Sequence, residues 1–189
     1  HDYENAMKLA QQTDDVTLKC THSLLYIYYL VITSNYSKAN SIALETQNFA
    51  KTAGDANSYL GSIFFQAWSS FYLGQWDEMA QLIDSALSLA EKNAQAHWIM
   101  HLRLQKAWLL LHTQDWSQVN ELVEPIYQQN KLAPFKTSAY FFSVIILIHL
   151  KTQQGELAQA QTYVDEISSY LSQDARAIDW VLKLPLYQG

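Results

Sequence analysis

Apolar residues recur along this chain at spacings of three and four residues, which is the periodicity of an amphipathic α-helix. Met79, Ile83 and Ala86 follow this spacing in a segment whose other positions are largely polar. Such segments alternate with segments that are apolar nearly all round, which predicts a partly exposed and a largely buried helix in each pair. The predicted helices span residues 2–12, 15–33, 36–53, 56–73, 76–92, 95–113, 116–129, 135–153, 157–172 and 175–187. No segment has the pattern of a strand, so the chain is predicted to be all-α, with about ten helices.

Glycine and proline mark several of the predicted boundaries. Gly54 suits the left-handed conformation at a helix end, and Asp55 suits the N-cap of the next helix. Gly74 is predicted to end the following helix in the same way. Pro125 lies inside a predicted helix and should cause a kink or an early end, because it lacks an N–H and crowds the preceding turn. Pro134 is predicted to open the next helix at its first position, where proline is tolerated.

A large residue, usually aromatic, marks the start of each amphipathic helix at a nearly constant interval. The marks are Tyr3, Tyr36, Trp76, Trp116 and Leu157, which after the first lie 40 or 41 residues apart. A period in this range is typical of an α-solenoid, in which each hairpin buries its apolar face against the next. We therefore predict one domain over residues 1–189, an α-α superhelix of antiparallel helix hairpins. Its units are 1–13, 14–53, 54–93, 94–132, 133–173 and 174–189. The partial first and last units indicate a fragment of a longer protein.

The composition narrows the classes of protein to which the chain can belong. Apolar residues make up 49% of the 189 residues, which is enough for a core and too many for a disordered chain. The net charge of −6 disfavours binding to nucleic acid. The single cysteine, Cys20, excludes an internal disulfide and suits a reducing, cytoplasmic compartment. The most apolar run, residues 139–150, has about 12 residues, whereas a membrane span needs about 20, so no membrane partner is expected.

The joint at Gly74 carries the pattern of a known helical repeat. Gly74 is followed by an aromatic residue, Trp76, and then by small or apolar residues at Met79, Ile83 and Ala86. This spacing resembles the second half of the tetratricopeptide repeat, and weaker copies follow the other marks. The interval of 40 residues is longer than the 34 of that family, and the family's helix-ending proline is absent. Longer units of this kind are similar to the arrays in bacterial signal-transduction ATPase regulators of the maltose-activator type.

The resemblance implies that the first helix of each hairpin lines a concave surface on which partners dock. Positions four, eight and twelve residues before each mark then repeat along this surface, and most are aromatic or apolar. The candidate binding residues are Tyr28, Phe64, Trp68, Tyr72, His101, Leu104, Trp108, His112 and His149. Such a surface suits an apolar helix or peptide laid in a groove, or a small hydrophobic ligand. The alternative for Trp68 and Trp108 is that their rings only fill a tightly wound core.

Motifs for catalysis or cofactor binding are not evident in the sequence. His97 and His101 have a spacing that can hold a metal on a helix, but no carboxylate lies between them, and paired surface histidines are the simpler interpretation. Asp77 and Glu78 begin a predicted helix, where they favour the positive end of its dipole. The scattered glycines form no phosphate-binding loop. We therefore expect no catalytic residues, no metal and no cofactor.

Together with the resemblance, these features predict a non-catalytic interaction module of a larger bacterial regulatory or signalling protein, including regulators of transcription. Its expected partner is a protein or peptide segment, including another domain of the same protein, bound along the aromatic groove. The alternative is a sensor domain that encloses a small hydrophobic effector or a signalling peptide. The two interpretations differ in whether the rings at Trp68, Tyr72 and Trp108 surround a cavity.

Overall fold

The computed structural model describes residues 14–173 together with Asn5, Lys8, Leu9 and Gln12. Over this part of the chain every regular element is an α-helix, so the all-α prediction is confirmed. The helices are α1 (Val16–Ile32), α2 (Tyr36–Ala53), α3 (Ala56–Tyr72), α4 (Trp76–Lys92), α5 (Ala96–His112), α6 (Trp116–Lys131), α7 (Ser138–Gln153) and α8 (Leu157–Gln173). The helix predicted over 175–187 and most of that over 2–12 lie outside the described residues.

The predicted boundary between α2 and α3 is confirmed in detail. Gly54 has a φ of 70°, in the left-handed region, and its N–H donates to the carbonyl of Lys51. Asp55 caps α3, because its carboxylate accepts a hydrogen bond of 3.0 Å from the backbone N–H of Ser58. Gly74 also has a left-handed φ, of 75°, just after the end of α3. Local capping chemistry therefore sets these boundaries.

At Pro125 one of the two predicted outcomes is not found and the other, a kink, stays a prediction, whereas the prediction for Pro134 is wrong. The early end expected at Pro125 is not found, since α6 continues to Lys131. Pro125 is exposed, and so is Glu121, whose carbonyl it deprives of a donor, so water can replace the lost hydrogen bond. The prediction that Pro134 opens the next helix is wrong. Pro134 lies in the connection between α6 and α7, and α7 begins at Ser138.

The chain divides into two compact units, the first ending at Ile99 and the second beginning at Met100, both within α5. In the first unit α1, α2, α3 and α4 pack against each other in consecutive order, and α1 also contacts α3. In the second unit α6 packs against α7, and α7 against α8. Each unit is thus built from helices that are neighbours in sequence. The single domain, its 40-residue units and the superhelix stay predictions.

Small residues at the helix contacts allow close packing inside each unit. Ala39, Ala43 and Ala67 are fully buried in the first unit, as is Ala107 in the second. At Gly61 of α3 an added Cβ would lie 3.1 Å from side-chain atoms of both Leu24 and Trp98.

Within the described residues, no helix combines the length and the apolar character that crossing a membrane requires. Trp76, the mark at the start of α4, is 42% exposed and stacks on Phe71.

Candidate functional site

Trp68 is the centre of a group of aromatic side chains on α3. Its indole is only 5% exposed. Phe64, Phe71 and Tyr72 surround it, with ring centroids 6.3, 6.1 and 6.1 Å from the centroid of the indole. These residues meet because positions three, four and seven residues apart lie on the same side of a helix. The distances are those of ordinary aromatic packing in a core.

Further rings join this group from the neighbouring helices of the first unit. Tyr72 stacks on Tyr36, at the start of α2, with centroids 4.6 Å apart and an interplanar angle of 12°. Burial, and then the neighbouring Tyr36, raise the pKa of the Tyr72 phenol above its ordinary value. On the other side, Phe64 contacts Phe65, which packs against Tyr28 of α1. Phe64 also contacts Trp98, with ring centroids 5.8 Å apart. The first-unit ring cluster comprises Tyr28, Tyr36, Phe64, Phe65, Trp68, Phe71, Tyr72 and Trp98.

Trp108 of α5 lies 40 residues after Trp68 and is equally buried, with 6% exposure. Its neighbours are different. The imidazole of His112 lies 4.7 Å from the indole centroid, and that of His149, from α7, lies 5.5 Å away, nearly perpendicular to it. Phe142 completes the contact at 6.0 Å. The structure therefore brings together three of the candidate residues that the sequence proposed: Trp108, His112 and His149.

The two histidines of this group, which we call the histidine pair, are exposed although the indole beneath them is buried. The Nδ1 atom of His112 lies 2.8 Å from the backbone oxygen of Trp108, which fixes the ring against its own helix. Although His149 is exposed as a residue, the side chains packed around its imidazole shield that ring partly from water; this desolvation, and then the proximity of His112, lower the pKa of the imidazole below its ordinary value. His149 therefore favours its neutral form, which can both donate and accept a hydrogen bond.

The remaining candidates differ in their accessibility. Leu104 is fully buried, whereas His101, Tyr28, Phe64 and Tyr72 are half-buried. His101 and Leu104 share one side of α5 with Trp108 and His112, since their spacing follows the helical period. The predicted partner contacts of all the candidates stay predictions. Among the candidates in the second unit, the histidine pair is the most exposed, since Leu104 and Trp108 are buried and His101 is half-buried.

The sequence analysis did not find a polar cluster around Glu166 of α8. Its carboxylate accepts hydrogen bonds from the phenol of Tyr127 at 2.7 Å and from that of Tyr140 at 2.6 Å. The amine of Lys131 lies 2.8 Å from the same carboxylate and 2.7 Å from the Tyr127 phenol. Both tyrosines are nearly fully buried. We call these four residues the Glu166 cluster; it joins α6, α7 and α8.

The electrostatics of the Glu166 cluster are those of a stable structural contact. Partial burial raises the pKa of Glu166, but the hydrogen bonds from Lys131 and the two tyrosines outweigh this effect and lower it. Burial raises the pKa of Tyr127 to about 12, so its phenol stays protonated as a donor. Only the four-residue spacing of Tyr127 and Lys131 on one helix could have signalled the cluster, because Glu166 is 35 residues away.

The described residues give little support to metal or thiol chemistry. Within them, no three or more His, Cys, Asp or Glu side chains lie together in a way that could hold a metal ion. Cys20 is buried, and burial, followed by the charge of Asp55, raises the pKa of its thiol. Comparison of the chain with family models, with curated proteins and with solved structures found no match. Its function therefore has to be inferred from the geometry of its own side chains.

Proposed function

We propose that this chain is a non-catalytic interaction module that binds a protein or peptide segment, and that in the second unit the histidine pair on α5 and α7 forms the surface for this contact. We propose further that it belongs to a tetratricopeptide-like array in a larger cytoplasmic regulatory protein of bacteria. In this proposal the bound segment belongs to another protein or to another domain of the same protein. The observations that support these statements come from the two units separately.

The packing order supports the array. In the first unit α1 contacts α3 as well as α2, which is the contact expected when the first helix of one hairpin lies beside the first helix of the next. Connections of two or three residues join the helices of this unit and favour antiparallel neighbours. The marks at Tyr36 and Trp76 stand at the first residues of α2 and α4, as a repeat requires.

The observation that carries the proposed binding is the histidine pair above Trp108. Two exposed imidazoles pack against one buried indole, so a bound segment would contact polar groups whose positions are fixed by an apolar side chain. Sites where polar groups adjoin packed aromatic side chains are typical of interaction hot spots. A peptide would supply backbone N–H and carbonyl groups, which the neutral imidazole of His149 can satisfy as acceptor and donor.

The packing around Trp68 favours surface binding over the enclosure of a small hydrophobic effector. Three rings lie within 6.3 Å of the Trp68 centroid and leave the indole 5% exposed. Side chains packed in this way occupy the space that an enclosed ligand would need. In the first unit Tyr28, Phe64 and Tyr72 keep part of their surface accessible, so a segment could lie over them.

Histidine footprinting with diethyl pyrocarbonate tests the proposed binding. The reagent acylates accessible neutral imidazoles, and mass spectrometry locates each adduct. In the purified chain His112 and His149 should react readily because both are exposed. In the native assembly isolated from its host, both should be protected at least about tenfold, since a bound segment would cover them.

His97 is the matched control, because it is an exposed histidine near the start of the same helix, α5. It should react equally in the purified chain and in the native assembly. Equal reactivity of all three histidines in both samples would contradict the proposal. Protection of His97 to the same degree as the other two would also contradict it, because it would indicate general shielding and not a specific contact.

A further inference from the structure

The two helices that carry the histidine pair, α5 and α7, contain no aspartate and no glutamate. The chain as a whole has 18 acidic residues against 12 basic ones, and α4 alone contains four acidic residues. A carboxylate beside an imidazole favours the charged form of the ring. Neither helix therefore supplies a group that would balance a positive charge on His112 or His149.

The permanent cations of α5 lie on the other side of that helix. Arg103 and Lys106 precede Trp108 by five and two residues, and these spacings place them opposite the indole. His97 and His101 precede Trp108 by 11 and 7 residues, so they share its side of the helix but lie towards its N-terminal end. On the side of α5 that carries Trp108, the ionisable side chains are thus all imidazoles.

The other charged groups near the histidine pair are engaged elsewhere in the second unit. Lys151, two residues after His149, pairs with Glu156 at 2.9 Å. Asp115, which follows α5, accepts hydrogen bonds from side chains in the first turn of α6. The causes that lower the pKa of His149 are desolvation and His112, and no carboxylate opposes them. The carboxylates of the neighbouring helices α6 and α8 that have no part in it are Glu121, Glu124, Asp165 and Glu166.

Protonation would change what the histidine pair can offer to a bound segment. Imidazole is the side chain whose charge changes most readily near neutral pH. An imidazolium only donates hydrogen bonds, so the N–H groups of a bound segment would lose their acceptors. The segment would also remove water from two positive charges that lie against the same indole, which is unfavourable without a compensating carboxylate.

The resulting inference rests on the contact proposed above for the histidine pair. We propose that the pair makes this contact acid-sensitive: the neutral pair holds the bound segment, and protonation of the pair releases it. Because the folded chain lowers the pKa of His149 below 6.5, the midpoint of release should lie below pH 6.5. The contribution of Glu166 to stability is fully present above about pH 4.5, so release at pH 5.0 can be separated from acid unfolding.

The native assembly isolated from the host at pH 7.5 tests this switch. Size-exclusion chromatography at pH 7.5 and at pH 5.0 measures the fraction of the full-length protein that stays in the assembly. For the original protein this fraction should fall at least about tenfold in acid, since only the neutral pair is competent to bind. The double substitution His112→Gln and His149→Gln removes the charge change. Whatever the double variant retains at pH 7.5, it should retain a similar fraction at pH 5.0.

His97→Gln is the matched control, because His97 is an exposed histidine of α5 at a distance from the pair. Its retained fraction should fall in acid by the same factor as that of the original protein. A double variant that dissociates in acid as the original does would overturn the proposal. Loss of the helical circular dichroism signal at pH 5.0 would also overturn it, because unfolding would then explain the release.

A fixed charge gives a second test at pH 7.5 alone. His149→Lys should lower the retained fraction at least about tenfold below that of His149→Gln, because an exposed ammonium stays charged at this pH. Equal retention of these two variants would overturn the proposal. The footprinting experiment separates this failure from that of the contact itself. Histidines that are unprotected at pH 7.5 contradict the contact, whereas protected histidines with retention that does not change with pH contradict only the switch.

Discussion

Trp68 and Trp108 lie 40 residues apart, at positions that the predicted repeat makes equivalent, yet each unit surrounds its indole differently. Trp68 packs against the rings of Phe64, Phe71 and Tyr72, whereas Trp108 packs against Phe142 and two imidazoles. Both indoles are nearly fully buried. The two indoles are therefore buried to the same degree, whereas the residues around each of them give the surface above it a different chemistry.

The second unit also places ionisable groups at its helix contacts. The Glu166 cluster joins three helices through a carboxylate, an amine and two phenols. In the first unit a comparable contact between α2 and α3 is made by two neutral amides, because Gln47 donates to Gln66 at 2.6 Å. We therefore expect stability in the second unit to depend more on pH and on charge than stability in the first.

The largest effect should follow from truncating the two indoles. Trp68→Ala should lower the free energy of unfolding by about 3–5 kcal/mol, since a buried aromatic side chain is removed and the packed rings around it close the space only partly. Trp108→Ala should cost less than Trp68→Ala, because the exposed His112 and His149 can move into part of the space. Urea denaturation followed by circular dichroism measures both.

Trp76→Ala is the control for the removal of an indole as such. Trp76 is 42% exposed and stacks on Phe71, so its loss should cost about 1 kcal/mol. If Trp68→Ala cost no more than Trp76→Ala, Trp68 would not be a core residue. Its role as a direct partner contact would then gain support over the packing role that its burial indicates.

A smaller effect is expected for the carboxylate of the second unit. Glu166→Gln should lower the free energy of unfolding by about 2 kcal/mol, because it removes the ion pair with Lys131 and weakens two charge-assisted hydrogen bonds. The folded state lowers the pKa of Glu166 below its ordinary value of 4.5. Its contribution is therefore fully present above about pH 4.5 and is lost as the pH falls through the folded-state pKa.

Glu156→Gln is the matched control for the charge change. Glu156 lies in the short connection between α7 and α8 and pairs at 2.9 Å with Lys151, near the end of α7; its side chain is 39% exposed. We expect a cost of about 0–1 kcal/mol for this substitution, the usual value for an exposed ion pair. Acid titration of the unfolding free energy should show a shallower decline for Glu166→Gln than for the original chain. An unchanged decline would mean that the Glu166 cluster does not couple stability to pH.

Most of the fold was predictable from the sequence because its determinants are local. Apolar residues at helical spacing located the helices, and the Gly54–Asp55 pair located a boundary that the structure confirms. Pro134 was misjudged because the conformation around it depends on contacts beyond its own sequence. Lys136 and Thr137 hydrogen-bond to the end of α6 and delay the start of α7 to Ser138. No local rule for proline contains that information.

The candidate site was predictable only as a set of positions. Counting back from each repeat mark selected Trp108, His112 and His149, which the structure brings together. The degree of burial could not be read from the pattern, because it depends on how the neighbouring helix packs. The role of Glu166 was not predicted for the same reason. Its partners lie on two other helices, and the sequence of an isolated glutamate in an amphipathic segment is that of a solvent-facing residue.

The smallest expected effect is a change in the pKa of His149. Because the imidazole of His149 packs against Trp108, this pKa reports on the environment of that indole. Partial burial and then His112 hold the pKa of His149 below its ordinary value of 6.5 in the folded chain. The neutral form is thus favoured by folding, so its contribution to stability is complete above pH 6.5 and is lost as the pH falls through the folded-state pKa. Nuclear magnetic resonance of the imidazole protons measures that pKa directly. His112→Gln should move it upwards, because one source of positive charge is removed. His97→Gln should not change it, and a pKa that is insensitive to both substitutions would show that the two imidazoles above Trp108 titrate independently.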